Sequence, residues 1–475
     1  MKLVGRKQEI AIFQHCMEST ESKLIAVYGR RRIGKTFLIR NYFKGKFLFE
    51  ITGLHGGEMS DQLKHFTQTL ALAGHAPAAV SAPSSWMDAF QLLMIFLDTR
   101  KGKGKKVLFF DELPWMDTPK SKFLMAFENF WNSYCTKRKD IIVVICGSAA
   151  SWMIKKIINN RGGLHNRVSE KINLQPFTLR ETAAFLNEKG IIWSHYDIAQ
   201  LYMTTGGVPF YLDAVKKGES VAQFIDRSCF KKNGVLYNEY EQLYSSLFEN
   251  SHHHQSIIET LATIKKGLLR DQIIEKTGLS SGGTLSKVLL ELEESGFIRS
   301  LVPYGAKQNG KLYRLEDFFT LFYHKFMRKN GAKQKESWIK ISNGQSYKSW
   351  LGLAFENLCI SHTDQIKAAL GLQVIETVAS SWHSKTEENG AQIDLLIDRA
   401  DRVVHVCEIK FVHSIFTIDK SYAQNLRNKL AVFSSVVPKK NLFLTMITTF
   451  GTSNNEYFKE LVQNSIVLED LFLEL

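Results

Sequence analysis

The chain has 475 residues, 44% of them hydrophobic and 23% charged, an ordinary globular composition that excludes wholesale disorder. Its length exceeds what a single core supports and predicts about three or four domains. Lysine and arginine number 61 against 47 aspartate and glutamate, a net charge of +14. Runs such as RKGKGKK (100–106) and KRK (137–139) concentrate part of that excess, which makes nucleic acid an expected partner. No apolar run approaches the ~18 residues of a membrane span, so no membrane partner is expected. The charged opening MKLVGRKQEI is unlike an export signal, and six scattered cysteines without a CxxC pair suit reduced thiols; the expected location is the cytoplasm.

The first motif in chain order is LIAVYGRRRIGKTFLI (24–39), an apolar strand, a glycine-bearing loop and the start of a helix. Gly29, Arg30, Arg31, Arg32, Ile33, Gly34, Lys35 and Thr36, with Phe37 following, fit a phosphate-binding loop. The glycines let backbone N–H groups turn toward phosphate oxygens. Lys35 meets the β and γ phosphates, and Thr36 is placed to hold Mg²⁺. About 75 residues later, KKVLFFDELPW (105–115) is an apolar strand ending in Asp111-Glu112. Asp111 suits the metal-holding strand end and Glu112 the group that polarises an attacking water. A third buried strand, IIVVICGSAASWM (141–153), places Ser148 where a polar residue would sense the γ-phosphate. Arg167, in the turn LHNR, is the candidate to reach a phosphate, within the subunit or as a finger into a neighbour, which would imply a homo-oligomer. ATP and Mg²⁺ are therefore the expected ligands.

From about residue 253 the pattern changes to short helices, IIETLATI, DQIIEKTGLS and GGTLSKVLLELEESGFI, followed by a hairpin-like RSLVPYGAKQNGKLYRLED. Leu285, Leu289 and Leu292 share one face of the third helix. Three helices and a wing predict helix-turn-helix geometry. Ser280, Ser281, Thr284 and Lys287 are the candidates for a groove, with Arg299, Lys307, Lys311 and Arg314 making the wing basic; Glu291, Glu293 and Glu294 oppose that role. His252–His254 point in different directions on a helix and are expected to be solvated rather than to bind metal.

In the last segment, the helix YKSWLGLAFENLCISH (347–362) carries Glu356 among apolar neighbours, and a strand is expected near 372–378. The stretch QIDLLIDRADRVVHVCEIKF (392–411) reads as two strands joined by a turn. Pairing Asp398 with Val403 places Asp394 opposite Cys407, within one residue of Glu408, and Lys410 lies on the same face as Glu408. Two carboxylates so close resist joint ionisation unless a cation separates them. Asp394 and Glu408 are thus candidate ligands for Mg²⁺ or Mn²⁺, with Lys410 orienting water or stabilising a transition state and Glu356 adding a ligand or positioning the lysine. The alternative is a Glu408–Lys410 ion pair on an exposed sheet face.

The motifs LVGRKQEI, GRRRIGKT, the DE strand end, CGSAASWM, LHNR, QPFTLRE and GGVPFYL (206–212) occur in the order found in archaeal and bacterial ATPases related to AAA+ and STAND proteins, which most of residues 1–330 resembles. That resemblance implies an additional-strand, catalytic-glutamate P-loop core with a helical lid, adenine contacts near Val4–Arg6 and a lid contribution near Pro209. The family turn usually reads LYGR where this chain has Leu164-His165-Asn166-Arg167. Residues 345–455, with D-x13-E-x-K, resemble the PD-(D/E)xK nuclease-like fold, with Ile393 where that motif usually has proline. The expected organisation is a multidomain α/β protein: a P-loop NTPase core over 1–175, a helical lid over 176–250, a winged helix-turn-helix over 251–330 and a restriction-endonuclease-like α/β domain over 338–475. The expected function is an ATP-hydrolysing switch coupled to a metal-dependent nuclease acting on DNA or RNA. The alternative is a signalling or DNA-binding regulatory ATPase whose last domain is inactive and serves binding.

Overall fold

The computed structural model describes residues 2–74, 83–100, 102, 104–159, 162–248, 251–264, 266–306, 310–328, 338–384 and 391–475. Lys307 and the polar stretch 329–337 lie outside the described residues. The chain divides into two compact units, Met1–Gln175 and Pro176–Leu475.

The first unit begins with α1 (Lys7–Glu18), β1 (Lys23–Tyr28), α2 (Lys35–Tyr42) and β2 (Phe47–Thr52). It continues with α3 (Met59–Gly74), α4 (Trp86–Thr99), β3 (Lys106–Asp111) and α5 (Phe123–Ser133), and closes with β4 (Ile141–Gly147), α6 (Ala150–Met153) and β5 (Glu170–Asn173). All five strands run parallel in the order β2-β3-β4-β1-β5. The strand β4 therefore stands between the P-loop strand β1 and the strand that ends in Asp111. Both faces of this sheet are covered, so its strands are apolar throughout rather than alternating. Leu24, Ala26, Leu108, Phe110, Val143 and Ile145 pack with α3, α4 and α5. Their sequence neighbours Ile25, Val27, Val107, Phe109, Ile142 and Val144 pack on the opposite face with α1 and α2.

In the second unit, α7 (Leu179–Glu188), α8 (His195–Thr205), α9 (Pro209–Asp213), α10 (Val221–Ile225) and α11 (Glu239–Leu247) come first. A capping box between Thr178 and Glu181 fixes the start of α7. Next come α12 (Ser251–Ala262), β6 (Leu268–Leu269), α13 (Arg270–Thr277), α14 (Gly283–Glu294), β7 (Ile298–Leu301) and β8 (Leu312–Leu315). The three strands form a small antiparallel sheet, β6-β8-β7, and Leu285, Leu289 and Leu292 are buried under it. His252 and His253 are exposed, but His254, expected in solvent, is buried: its Nε2 meets Glu291 at 2.9 Å and its ring stacks on Phe248. The reason is helical phase, since only the third histidine falls on the inward face.

The remaining elements are α15 (Phe318–Phe322), α16 (Trp338–Ser342), α17 (Gln345–Ser361), α18 (Thr363–Ala369), β9 (Thr377–His383), β10 (Gln392–Arg399) and β11 (Val403–Lys410). After them come α19 (Lys420–Val436), β12 (Asn441–Thr448), α20 (Glu456–Leu461) and β13 (Val462–Val467). The sheet order is β13-β12-β11-β10-β9, antiparallel from β9 to β11 and parallel from β11 to β13. The strand expected near 372–378 starts later, at Thr377. The hairpin register also differs: Asp398 pairs with Val404, and Leu395 with Cys407. A three-residue loop, with Arg402 in the left-handed region at φ 68°, accounts for the shift. Continuing that register sets Asp394 directly across from Glu408.

Candidate functional site

Backbone conformation builds the phosphate loop. Gly29 has φ +135°, and a Cβ there would lie 2.4 Å from the Leu174 carbonyl oxygen, so no side chain fits. Gly34 caps α2 at φ +86° with open space where a Cβ would stand, leaving the N–H groups of the first turn facing a clear cradle. The buried Lys35 ammonium donates to the carbonyls of Gly29 (2.9 Å) and Arg30 (2.8 Å). Burial pushes this ammonium below its ordinary pKa, while Cys146, Glu112 and Asp111 pull the other way.

Thr36 Oγ1 donates to Asp111 at 3.0 Å, so the last loop residue and the strand end of β3 meet although 75 positions separate them. A hydroxyl and a carboxylate side by side are the donor set of a hard divalent cation, and these residues fit Mg²⁺. Burial, followed by the neighbouring Glu112, raises the Asp111 carboxyl above its usual range, an arrangement that a nearby cation relieves. Glu112 sits at φ 47°, and its Oε2 accepts from the Ser148 N–H (3.0 Å) and hydroxyl (2.8 Å). Ser148 thus contacts the glutamate. Arg167 is exposed on its turn. Another loop-binding residue emerges in Arg6: its guanidinium donates to the Ile33 carbonyl at 3.2 Å and to the Gln175 carbonyl at 2.7 Å, tying the start of α1 to the loop. Its position in LVGR is the only signal for it in the sequence.

A family model described as an ATPase domain predominantly from Archaea matches residues 3–215. Residues 3–215 are thus similar to an archaeal-type ATPase domain built on a P-loop. An uncharacterized protein of Methanocaldococcus jannaschii is 23% identical over 413 residues, covering 86% of this chain and 87% of that protein. An uncharacterized ATP-binding protein of the same organism is 40% identical over 43 residues, 9% of this chain and 73% of that one. Among solved structures, the Walker-type ATPase of Pyrococcus abyssi superposes with a TM-score of 0.50 at 15% identity, covering 68% of this chain and 96% of that one, a likeness of fold. No helix among the described residues is long and apolar enough to cross a membrane.

The second unit gathers the other candidates. Lys410 Nζ lies 3.2 Å from Glu408, and Lys429 of α19 lies 2.5 Å from the other oxygen of the same carboxylate. The Tyr422 hydroxyl, also on α19, donates to Glu408, and Lys410 stands 5.0 Å from the Tyr422 ring. Burial alone would raise the Glu408 carboxyl, but Lys429 and Lys410 hold it below its usual value. The Glu356 carboxyl is pushed up to about 7, first by burial and then by Asp394, against the pull of Arg314 and Lys410. Asp394 Oδ1 accepts from Gln392 at 2.7 Å.

Asp394, Glu356, Glu408 and Lys410 therefore share one electrostatic neighbourhood, yet the donor set does not fit a metal as arranged. Both Glu408 oxygens are engaged by the protein's own donors, and among the described residues no three His, Cys, Asp or Glu side chains converge to hold a metal. Tyr422 and Lys429 escaped the sequence reading, although they lie two turns apart on one helix face. The wing differs from expectation as well. Arg299 pairs with Glu316, and Arg314 is half-buried, with Asp394 and Glu356 acting electrostatically on its charge, so neither is a fully exposed wing cation.

Proposed function

We propose that the chain is an ATP-dependent switch in which hydrolysis at the first unit governs the state of the second. The observation that carries it is the Thr36–Asp111 contact beside a loop whose Lys35 is held by Gly29 and Arg30. Thr36 and Asp111 would hold Mg²⁺, which when bound neutralises phosphate charge. Lys35 exchanges its carbonyl contacts for the β and γ oxygens, and the α2 N–H groups bind the remaining phosphate oxygens. Glu112 accepts the proton of the attacking water once its carboxylate turns from Ser148, and Arg167 offers the charge that a finger would supply, in the same subunit or a neighbouring one. Lys35→Ala is expected to lower ATP turnover by about 100-fold or more. Turnover near wild type in that variant would sink the reading.

For the second unit we read residues 251–330 as a winged helix-turn-helix and 338–475 as a nuclease-like α/β domain, with DNA or RNA as partner. The Glu408–Lys410 pair, with Asp394 and Glu356 in the same electrostatic neighbourhood, supports a nuclease with Mg²⁺ or Mn²⁺ provided that Glu408 is first released from Lys429 and Tyr422. The engagement of Glu408 by Lys410, Lys429 and Tyr422 favours the other reading, a regulatory ATPase whose last domain serves binding. Incubation of the full chain with ATP, Mn²⁺ and varied DNA and RNA separates them: cutting that Lys410→Ala abolishes establishes the nuclease, and intact substrates establish the regulator.

A further inference from the structure

The match to the archaeal ATPase family extends to residue 215, whereas residues 176–215 pack with the second unit. The helices α7 and α8 thus lie in the ATPase match by sequence and in the second unit by contact. Their attachment is made of specific pairs. The first turn of α7 leaves the Leu179 N–H without a helical acceptor, and it donates to His362 Nε2, just beyond α17, at 3.2 Å. Because that nitrogen accepts, the ring proton sits on Nδ1, which donates to the Leu358 carbonyl at 3.0 Å. Tyr202 of α8 meets the same imidazole edge to face at 5.4 Å. Farther along the same surface His195 stacks on Phe472 at 3.9 Å, and Arg180 pairs with Glu474 at 2.9 Å.

The contact that bears on the carboxylate cluster is made by Tyr196. Its ring lies nearly parallel to Phe411 at 5.1 Å and to Phe450 at 5.6 Å, and its hydroxyl shares a 2.6 Å hydrogen bond with His413 Nδ1. Phe411 directly follows Lys410 at the end of β11, and Phe450 lies just past the end of β12. Val412 N–H donates to Thr449 Oγ1 at 2.9 Å, so the two strand ends are fastened to one another. Phe411 also meets Phe355 of α17 at 5.1 Å, and Phe355 directly precedes Glu356. The line Tyr196–Phe411–Phe355 therefore runs from α8 to the chain beside both Lys410 and Glu356.

We propose that Tyr196 is a positioning residue, through which α8 sets the ends of β11 and β12 and with them the place of Lys410. The proposal rests on reading the chain as an ATP-dependent switch. Tyr196 acts through Phe411 and His413, not on the carboxylates themselves. Packed rings pass a displacement on rather than absorb it, so a shift of α8 is felt at the strand ends. Nucleotide then regulates the cluster by way of a helix that the cluster's own domain already grips.

The test is amide hydrogen exchange of the full chain with and without a non-hydrolysable ATP analogue and Mg²⁺, read at α8 and at residues 411–416. Wild type is expected to change its exchange rate with nucleotide in both places, by at least about fivefold. Tyr196→Ala is expected to keep the change in α8 and lose that at 411–416, with ATP turnover near wild type. A merely structural stack would loosen 411–416 equally with and without nucleotide, leaving the difference intact. Should Tyr196→Ala fail to fold, Tyr196→Phe removes only the hydrogen bond to His413 and is expected to lose at least about half of the change at 411–416. An undiminished change there in a folded variant, or a wild type in which α8 responds and 411–416 does not, overturns the positioning role alone. An α8 that does not respond in wild type overturns the switch reading, and the positioning role with it. The readout needs no nuclease activity and holds for either reading of the last domain.

Discussion

The two charged sites of this protein are built on opposite principles. At the phosphate loop the backbone does the work: Gly29 and Gly34 hold conformations that turn N–H groups toward an open cradle, and the buried ammonium of Lys35 is parked on two carbonyls that a phosphate can replace. In the carboxylate cluster the side chains do the work, and Glu408 already has two ammonium groups and a tyrosine hydroxyl on its oxygens. The first arrangement is poised for a ligand. The second is satisfied, and a ligand must displace something. Neutralised carboxylates lose the affinity that crowding would otherwise give them for a cation.

The largest expected effect lies at the first site. Glu112→Gln keeps the shape and the Ser148 contact but removes the base, so ATP turnover should fall by roughly 10²–10⁴ while nucleotide affinity stays near wild type. A loss of binding equal to the loss of turnover would show that Glu112 holds nucleotide rather than activating water. Gly29→Ala comes next. With φ +135° and a carbonyl oxygen 2.4 Å from the new Cβ, the loop must distort, at a cost of about 3 kcal/mol or more in chemical denaturation. Full stability and full ATP affinity together in this variant would contradict a backbone-built site.

At the second site the prediction is one of pH. Glu356 titrates near 7 in the fold against 4.5 for an ordinary glutamate. Below pH 4.5 both states are protonated and stability is whole. As pH rises from 4.5 to 7 the unfolded chain releases the proton first, so stability falls, by on the order of 2–3 kcal/mol, and levels off above. Glu356→Gln should flatten that slope in thermal melts across the window. A slope that survives the substitution would place the buried proton elsewhere, and with it the claim that this cluster crowds its carboxylates.

Legibility followed the same division. The loop and its helix are contiguous, so Gly29, Gly34, Lys35 and Thr36 could be read from spacing alone, and an apolar strand announced Asp111. The carboxylate cluster draws on α17, β8, β10, β11 and α19, and no local pattern joins them. The approach of Asp394 to Glu408 was visible within one residue; the register error came from a loop whose Arg402 adopts a left-handed conformation that its residue type does not advertise. Arg314 read as part of a basic wing because spacing does not show that a hairpin cation is half-buried and feels the charges of Glu356 and Asp394. His254 read as solvated because three adjacent histidines hide which one faces inward.

The smallest expected effect tests how completely the second site is satisfied. The Tyr422 hydroxyl donates to a Glu408 oxygen that Lys410 also approaches, while Lys429 holds the other oxygen. Tyr422→Phe removes one donor and leaves the ammonium groups and the ring beneath Lys410 in place. The loss should be about 1 kcal/mol, the ordinary worth of a hydrogen bond to a carboxylate that keeps other partners. ATP turnover should not change, since the substitution leaves every residue of the phosphate loop as it is. A loss of several kcal/mol would mean that the lysines alone do not balance Glu408 and that the hydroxyl is an essential member of the cluster. No loss at all would mean that the two lysines already saturate it, and any cation entering there would have to displace an ammonium group.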